Sequence, residues 1–125
     1  MNDQVRRALA QGHLIDITTT GRVSGEARRI ELVFHNFGGR VYISGSPHPG
    51  HTRAWLRNLA EDPAFTFHLK GSIAADLPAT ARIITDEAER SVVFAEIVRV
   101  WTRQDLEAMI ADSPLIEVTF EDLAA

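Results

Sequence analysis

The residues best suited to chemistry lie in TTTGRVSGEARR, positions 18 to 29. Arg22, Arg28 and Arg29 stand there against Glu26 alone, a local excess of positive charge in a chain of formal net charge -4. Gly21 and Gly25 tolerate the backbone angles that align successive N–H groups into an anion-binding concavity. Ser24 adds a hydroxyl, and Arg22 and Arg28 add planar forks that match phosphate or carboxylate oxygens. The same residues also make an ordinary solvated hairpin turn, and spacing alone leaves both open. The stretch lacks the Lys-Ser/Thr pair of a phosphate loop. Its serine stands one position too late for a nucleophile elbow.

A second candidate is SGSPHPGHTRAWLRNL, positions 44 to 59. A Gly/Ser/Pro loop leads there into a helix start, where free N–H groups and a partial positive charge attract anions. Ser46, His48, His51 and Arg53 surround that point. Trp55 and Asn58, three apart, fall on neighbouring faces of the helix, although Trp55 by itself reads as a core aromatic. His48 and His51 are separated by Pro49-Gly50 and have no carboxylate beside them, so no metal site is expected. His13, His35 and His68 sit in strand-like segments and suggest no role. The acidic residues between 86 and 122 read as a solvated face without the close carboxylate pair of a glycosidase.

These groups need a scaffold, and the apolar pattern supplies one. Residues 3 to 11 fit a short helix with Asp3 near its start, Val5 and Leu9 on one face and Gly12 as the stop. His13 to Thr20 reads as a strand. Ile30, Leu32 and Phe34 alternate with Glu31, Val33 and His35 as in a half-buried strand. The Gly-Gly pair within Asn36 to Arg40 suits a hairpin returning through Val41 to Ser44. The spacing then predicts a helix capped by Thr52, with Trp55, Leu59 and Leu56, Ala60 as one stripe, stopped at Asp62-Pro63. Ala64 to Lys70 and a stretch within Ile73 to Ile84 read as strands. Thr85 or Asp86 caps a helix with Val93, Ile97 and Val100 or Trp101 inward. A second short helix (104 to 111) and a last strand, Leu115 to Phe120, follow. Strands in hairpins without regular β-α alternation argue against a doubly wound parallel sheet. The fold class expected is mainly β with flanking helices (α+β), a small barrel in one domain over 1–125, with 1–12 as a terminal helix or arm.

Composition narrows the functional classes. The absence of cysteine excludes disulfides, thiolate catalysis and cysteine-based zinc sites. A pI near 5.7 argues against non-specific nucleic-acid binding. No apolar run is long enough to span a bilayer and MNDQVRRALAQG lacks a signal core, so a cytoplasmic protein is expected.

Taken together, TTTGRVSGEAR, a hairpin ending in GGRVYI, a Gly/Ser loop, W-x-x-N-L, a D-P after the helix and PATARIITDEAER resemble the deazaflavin-dependent nitroreductase family. That family belongs to the split β-barrel flavin and deazaflavin oxidoreductases. The similarity runs from about Ile17 to Phe120 in matching order. It implies a split β-barrel like that of FMN-binding proteins, and binding of reduced coenzyme F-420, a deazaflavin with a phosphate and an oligoglutamate tail. By this resemblance Arg22, Ser24, Gly25 and Arg28 meet the anionic part of the cofactor. Gly45 and Ser46 border it, and Trp55 and Asn58 match the helix signature.

The sequence also departs from the family pattern. Val23 stands where a basic residue is usual, Ala27 and Arg53 where proline is usual. Arg29, Arg53 and His48 are candidates to make up the charge. The nitroreductases place tyrosines before the last strand, whereas here that region offers Trp101 and the chain's one tyrosine is Tyr42. The expected function is hydride transfer from reduced coenzyme F-420 to a small electron-poor acceptor such as a quinone, an activated alkene or a nitro compound, with no catalytic side chain singled out. The alternatives are a split barrel holding FMN or another cofactor, and a non-catalytic ligand-binding domain. Split barrels pair through sheet faces, so a homodimer is expected.

Overall fold

The computed structural model describes residues 2–12, 14–50, 52–71 and 73–121. Helix α1 (Asp3–Gln11) begins where the Asn2 side chain accepts a hydrogen bond from the Val5 amide at 2.9 Å, and it ends at Gly12. Asn2 is therefore the cap, and Asp3 sits in the first turn, where its charge opposes the helix dipole. Val5 and Leu9, one helical turn apart, are buried.

Six strands follow: β1 (Leu14–Thr20), β2 (Ala27–Phe37), β3 (Arg40–Ser44), β4 (Ala64–Leu69), β5 (Ala75–Ile83) and β6 (Leu115–Phe120). They close into an antiparallel barrel in the order β1-β2-β3-β6-β5-β4, the split barrel expected from the sequence. Gly38 and Gly39, at φ +64° and +90°, make the tight turn between β2 and β3. Alternation along each strand decides what the barrel holds. Ile15 and Ile17 of β1 point in while Asp16 and Thr18 point out, and Phe67 packs edge-to-face against Phe34 and Phe120 at 5.2 and 5.0 Å. Val5 and Leu9 of α1, and Trp55 and Leu59 of helix α2 (Ala54–Glu61), join the same core.

Helices α3 (Glu87–Val100) and α4 (Leu106–Asp112) bury a second cluster of Phe94, Ile97 and Met109 with Tyr42 and Leu115. This cover changes the expectation for β2. Its alternation suggested one wet face, yet both Phe34 and His35 are buried, because Trp101 and Phe37 pack on the His35 ring. Among the described residues the imidazole has no partner for Nε2, and burial pushes its pKa down to about 4.

Other expectations shift locally. Asp86, not Thr85, caps α3, accepting from the Glu89 amide at 2.8 Å. Phe94 takes the inward position beside Val93 and Ile97, while Val100 is exposed at the helix end. In α2 the buried set is Trp55, Asn58 and Leu59, and Ala60 faces solvent. Arg53 rather than Thr52 holds the N-cap position of α2 and makes no side-chain cap bond. His13 and His51 lie outside the described residues.

Candidate functional site

The turn between β1 and β2 and the start of α2 meet at one cleft of about 420 Å³. Arg22, Ser24 and Arg28 line it from the turn and β2, and Trp55, Asn58 and Ala54 from the helix. Thr19, Gly21, Val23 and Ile30 complete the wall. Residues some thirty positions apart are thus brought together, as the paired motifs implied.

The turn holds itself in shape with its own amides. Gly25, at φ +72°, donates its N–H to the Gly21 carbonyl at 2.8 Å, and Gly21 donates to Glu26 O at 2.7 Å. The Glu26 amide bonds to Ser24 Oγ and the Arg22 amide to Asn58 Oδ1. The Gly21 and Gly25 amides themselves are therefore spent within the turn. Gly25 sets the bend and is absent from the cleft lining. Positive charge comes instead from side chains and the helix. Arg28 is 60% exposed and only loosely approached by Glu26 at 3.8 Å. Among the described residues Arg22 has one side-chain acceptor, Asn58 Oδ1 at 3.3 Å. The uncapped start of α2 leaves first-turn amides without side-chain acceptors, a further attraction for an anion.

Alternation along β2 removes Arg29 from this cleft. It turns to the outer face and pairs with Asp16 at 2.9 Å, so it does not supply the charge missing at Val23. Arg53 does not supply it either: its Nη1 donates to Ser46 O at 3.0 Å, and its guanidinium lies over Gly45, where a Cβ would meet it at 3.2 Å. Gly45 and Ser46 are not in the cleft of Arg22 and Arg28. Ser46 lines a separate hollow of about 340 Å³ with Trp101, Arg103 and Gln104. His48 and Arg53 line another of about 300 Å³ with Arg90 and Ser113. No group of three or more histidines and carboxylates suited to a metal occurs among the described residues.

The model of the F-420H2-dependent quinone reductases matches residues 1–121. The chain belongs to that family. It is a deazaflavin-dependent oxidoreductase whose cofactor is coenzyme F-420, as the sequence motifs implied. Solved structures agree on the fold. One of an F-420-H2-dependent reductase (FDR-A) is 21% identical with a TM-score of 0.60, over 85% of this chain and 93% of that one. A domain-swapped dimer is 21% identical with a TM-score of 0.62, over 94% and 95%. A conserved hypothetical protein of Mycobacterium tuberculosis is 12% identical with a TM-score of 0.76, over 97% and 81%. No helix among the described residues is long and apolar enough to cross a membrane.

For this family member the structure also assembles polar groups that the sequence left unassigned. On the outer face of the barrel, His68 Nδ1 lies 2.6 Å from Asp76 Oδ1 and Nε2 lies 2.6 Å from Thr18 Oγ1. The carboxylate only accepts, so Nδ1 donates to it. The imidazole holds the Asp76 carboxyl below its usual range. Beside it, Lys70 bonds to Asp16 at 2.8 Å and also to Glu31. These contacts join β1, β2, β4 and β5 away from the cleft. The sequence left open which way His68 points, and only the strand order made these groups neighbours.

Proposed function

We propose that the cleft between the β1–β2 turn and α2 holds the anionic part of coenzyme F-420, and that the protein reduces a small quinone-type acceptor. The observation that carries this placement is the convergence of Arg22, Arg28 and the uncapped start of α2 on one cavity with an aromatic wall, Trp55. The lining fits the group. Two guanidinium forks match phosphate and carboxylate oxygens, and Trp55, Ile30 and Val23 provide apolar surface. When bound, the reduced deazaflavin supplies the hydride. Arg22 and Arg28 bind the negative charge, Ser24 offers its hydroxyl proton, and Trp55 excludes water from the wall it forms. Gly45 and Ser46 would meet the same cofactor only if it extends beyond the cleft to the hollow at Trp101.

The experiment is a titration of the purified protein with coenzyme F-420 and, separately, with FMN, followed by fluorescence quenching. Menadione, an activated alkene and a nitro compound are then offered to the reduced complex under anaerobic conditions. Micromolar binding of the deazaflavin with menadione-dependent oxidation is expected. Tighter binding of FMN would overturn the cofactor placement, and binding without turnover would favour a carrier. A homodimer is the assembly proposed, supported by the domain-swapped dimer among similar structures, and light scattering of the eluting protein tests it.

A further inference from the structure

We infer that Thr19 and Asn58 are positioning residues, which fix the Arg22 guanidinium in the cleft before a ligand arrives. The inference rests on the cofactor placement above for its functional consequence, and on the geometry alone for its physical content. Asn58 lies on the inner side of α2 and is 4% exposed, and Thr19 near the end of β1 is 2% exposed. Asn58 Oδ1 accepts from the Arg22 backbone N at 3.2 Å and from Arg22 Nη1 at 3.3 Å. Its Nδ2 donates to Thr19 Oγ1 at 3.1 Å.

Each end of the amide therefore has a fixed duty. A flipped amide would set its NH2 against two Arg22 donors, so the arrangement admits one orientation. Thr19 holds that orientation by accepting from Nδ2. One oxygen receiving both the backbone and the side chain of the same residue restrains the turn and the guanidinium together. Arg22 Nε and Nη2 keep no acceptor among the described residues, so the fork retains donors for an anion. A long, flexible arginine loses rotamer freedom when it grips a ligand, and a guanidinium already held loses less. On this account Asn58 contributes to binding through Arg22 and not by touching the ligand, which explains why a buried asparagine with its hydrogen bonds filled accompanies Trp55 in the helix.

The test needs no turnover. 15N relaxation of the Arg22 Nε–H in the protein without cofactor should report a rigid guanidinium in the wild type. It should be mobile in Thr19→Val and Asn58→Ala, and rigid again in Asn58→Asp, which keeps an acceptor for both Arg22 donors. Equal mobility in all of them overturns the inference. The affinity for coenzyme F-420 is then measured for each variant with and without Arg22→Ala. Thr19→Val and Asn58→Ala should each weaken binding about 5- to 10-fold, and the loss should be smaller once Arg22 is gone, when only the residue-22 backbone amide is left for Asn58 to hold. The same loss in both backgrounds, or no loss in either, overturns it. If Asn58→Ala does not fold, Thr19→Val, which removes only the hydroxyl's hydrogen bonding, decides alone. A wild type that is rigid at Arg22 yet binds no deazaflavin would sink the cofactor placement and leave the positioning intact.

Discussion

Arg28 is the residue on which the placement of the anionic group depends most. It lines the cleft, most of its side chain is in water, and its one carboxylate neighbour among the described residues is 3.8 Å away, so little in the fold requires it. Arg28→Ala should weaken coenzyme F-420 binding about 10-fold at low salt and less at high salt, read by quenching titrations, with the melting temperature unmoved. His35 makes a different case, a group whose burial bears on the fold. Burial lowers its pKa from 6.5 to about 4, so the unfolded chain takes up a proton at a pH where the folded chain refuses it. Stability is then full above pH 6.5 and falls as pH drops toward 4, by an amount on the order of 3 kcal/mol. Denaturant midpoints of wild type and His35→Phe across that window check this, and the phenylalanine variant should show a flatter profile. Asp16 and Glu89 are held below their usual range by Lys70 and Arg29 and by Arg82, and lose that contribution at lower pH, below about 4.

Besides their shared apolar cluster, helices α3 and α4 are tied by the side chain of Arg90. Arg90 donates Nε to Ile110 O, Nη1 to Ile84 O, and Nη2 to Met109 O and Ser113 O, and its guanidinium lies 5.1 Å from the centre of the Phe94 ring. It closes the carboxyl end of α4, where carbonyls lack helical partners. Arg90→Met keeps the aliphatic stem and removes those donors, and should cost about 2 to 4 kcal/mol in chemical denaturation. At this scale the sequence was read most easily where a local rule applies. The cap of α3, narrowed to Thr85 or Asp86, the stop at Asp62-Pro63 and the Gly38–Gly39 turn depend on near neighbours and could be read from a few letters. The bounds of α2 could not: Thr52 is a better cap than Arg53 by side-chain type, yet Arg53 holds the cap position while its side chain bonds to Ser46 O.

The whole molecule is a closed barrel around a cluster of phenylalanines. Phe67 is fully buried, with Phe34 on one side and Phe120 on the other, so no neighbour can move in to fill its space. Phe67→Ala should cost about 3 to 5 kcal/mol, measured by urea unfolding, and leave any complex weaker only through partial unfolding. That a barrel would form was legible from singly spaced strands and their alternation. Which strands adjoin was not, because an alternating pattern names a strand's inner face and not its neighbours. The pairing of Asp16 with Lys70 and of His68 with Thr18 depends on that neighbour relation, as does the separation of Gly45 and Ser46 from the arginine cleft. The cleft itself was legible for a different reason: the turn carries residue types suited to an anion, and the family resemblance pairs it with Trp55 and Asn58.

The barrel's last strand lies between β3 and β5, and both of those precede it by more than thirty residues. Until Leu115–Phe120 has been made and docked, β3 and β5 each present an open row of backbone donors and acceptors, and Phe67 lacks one of its two ring neighbours. During synthesis the N-terminal half can form its hairpins but cannot complete a core. Ribosome-bound chains short of β6 are thus the stage at which this protein is most open to chaperones and to self-association.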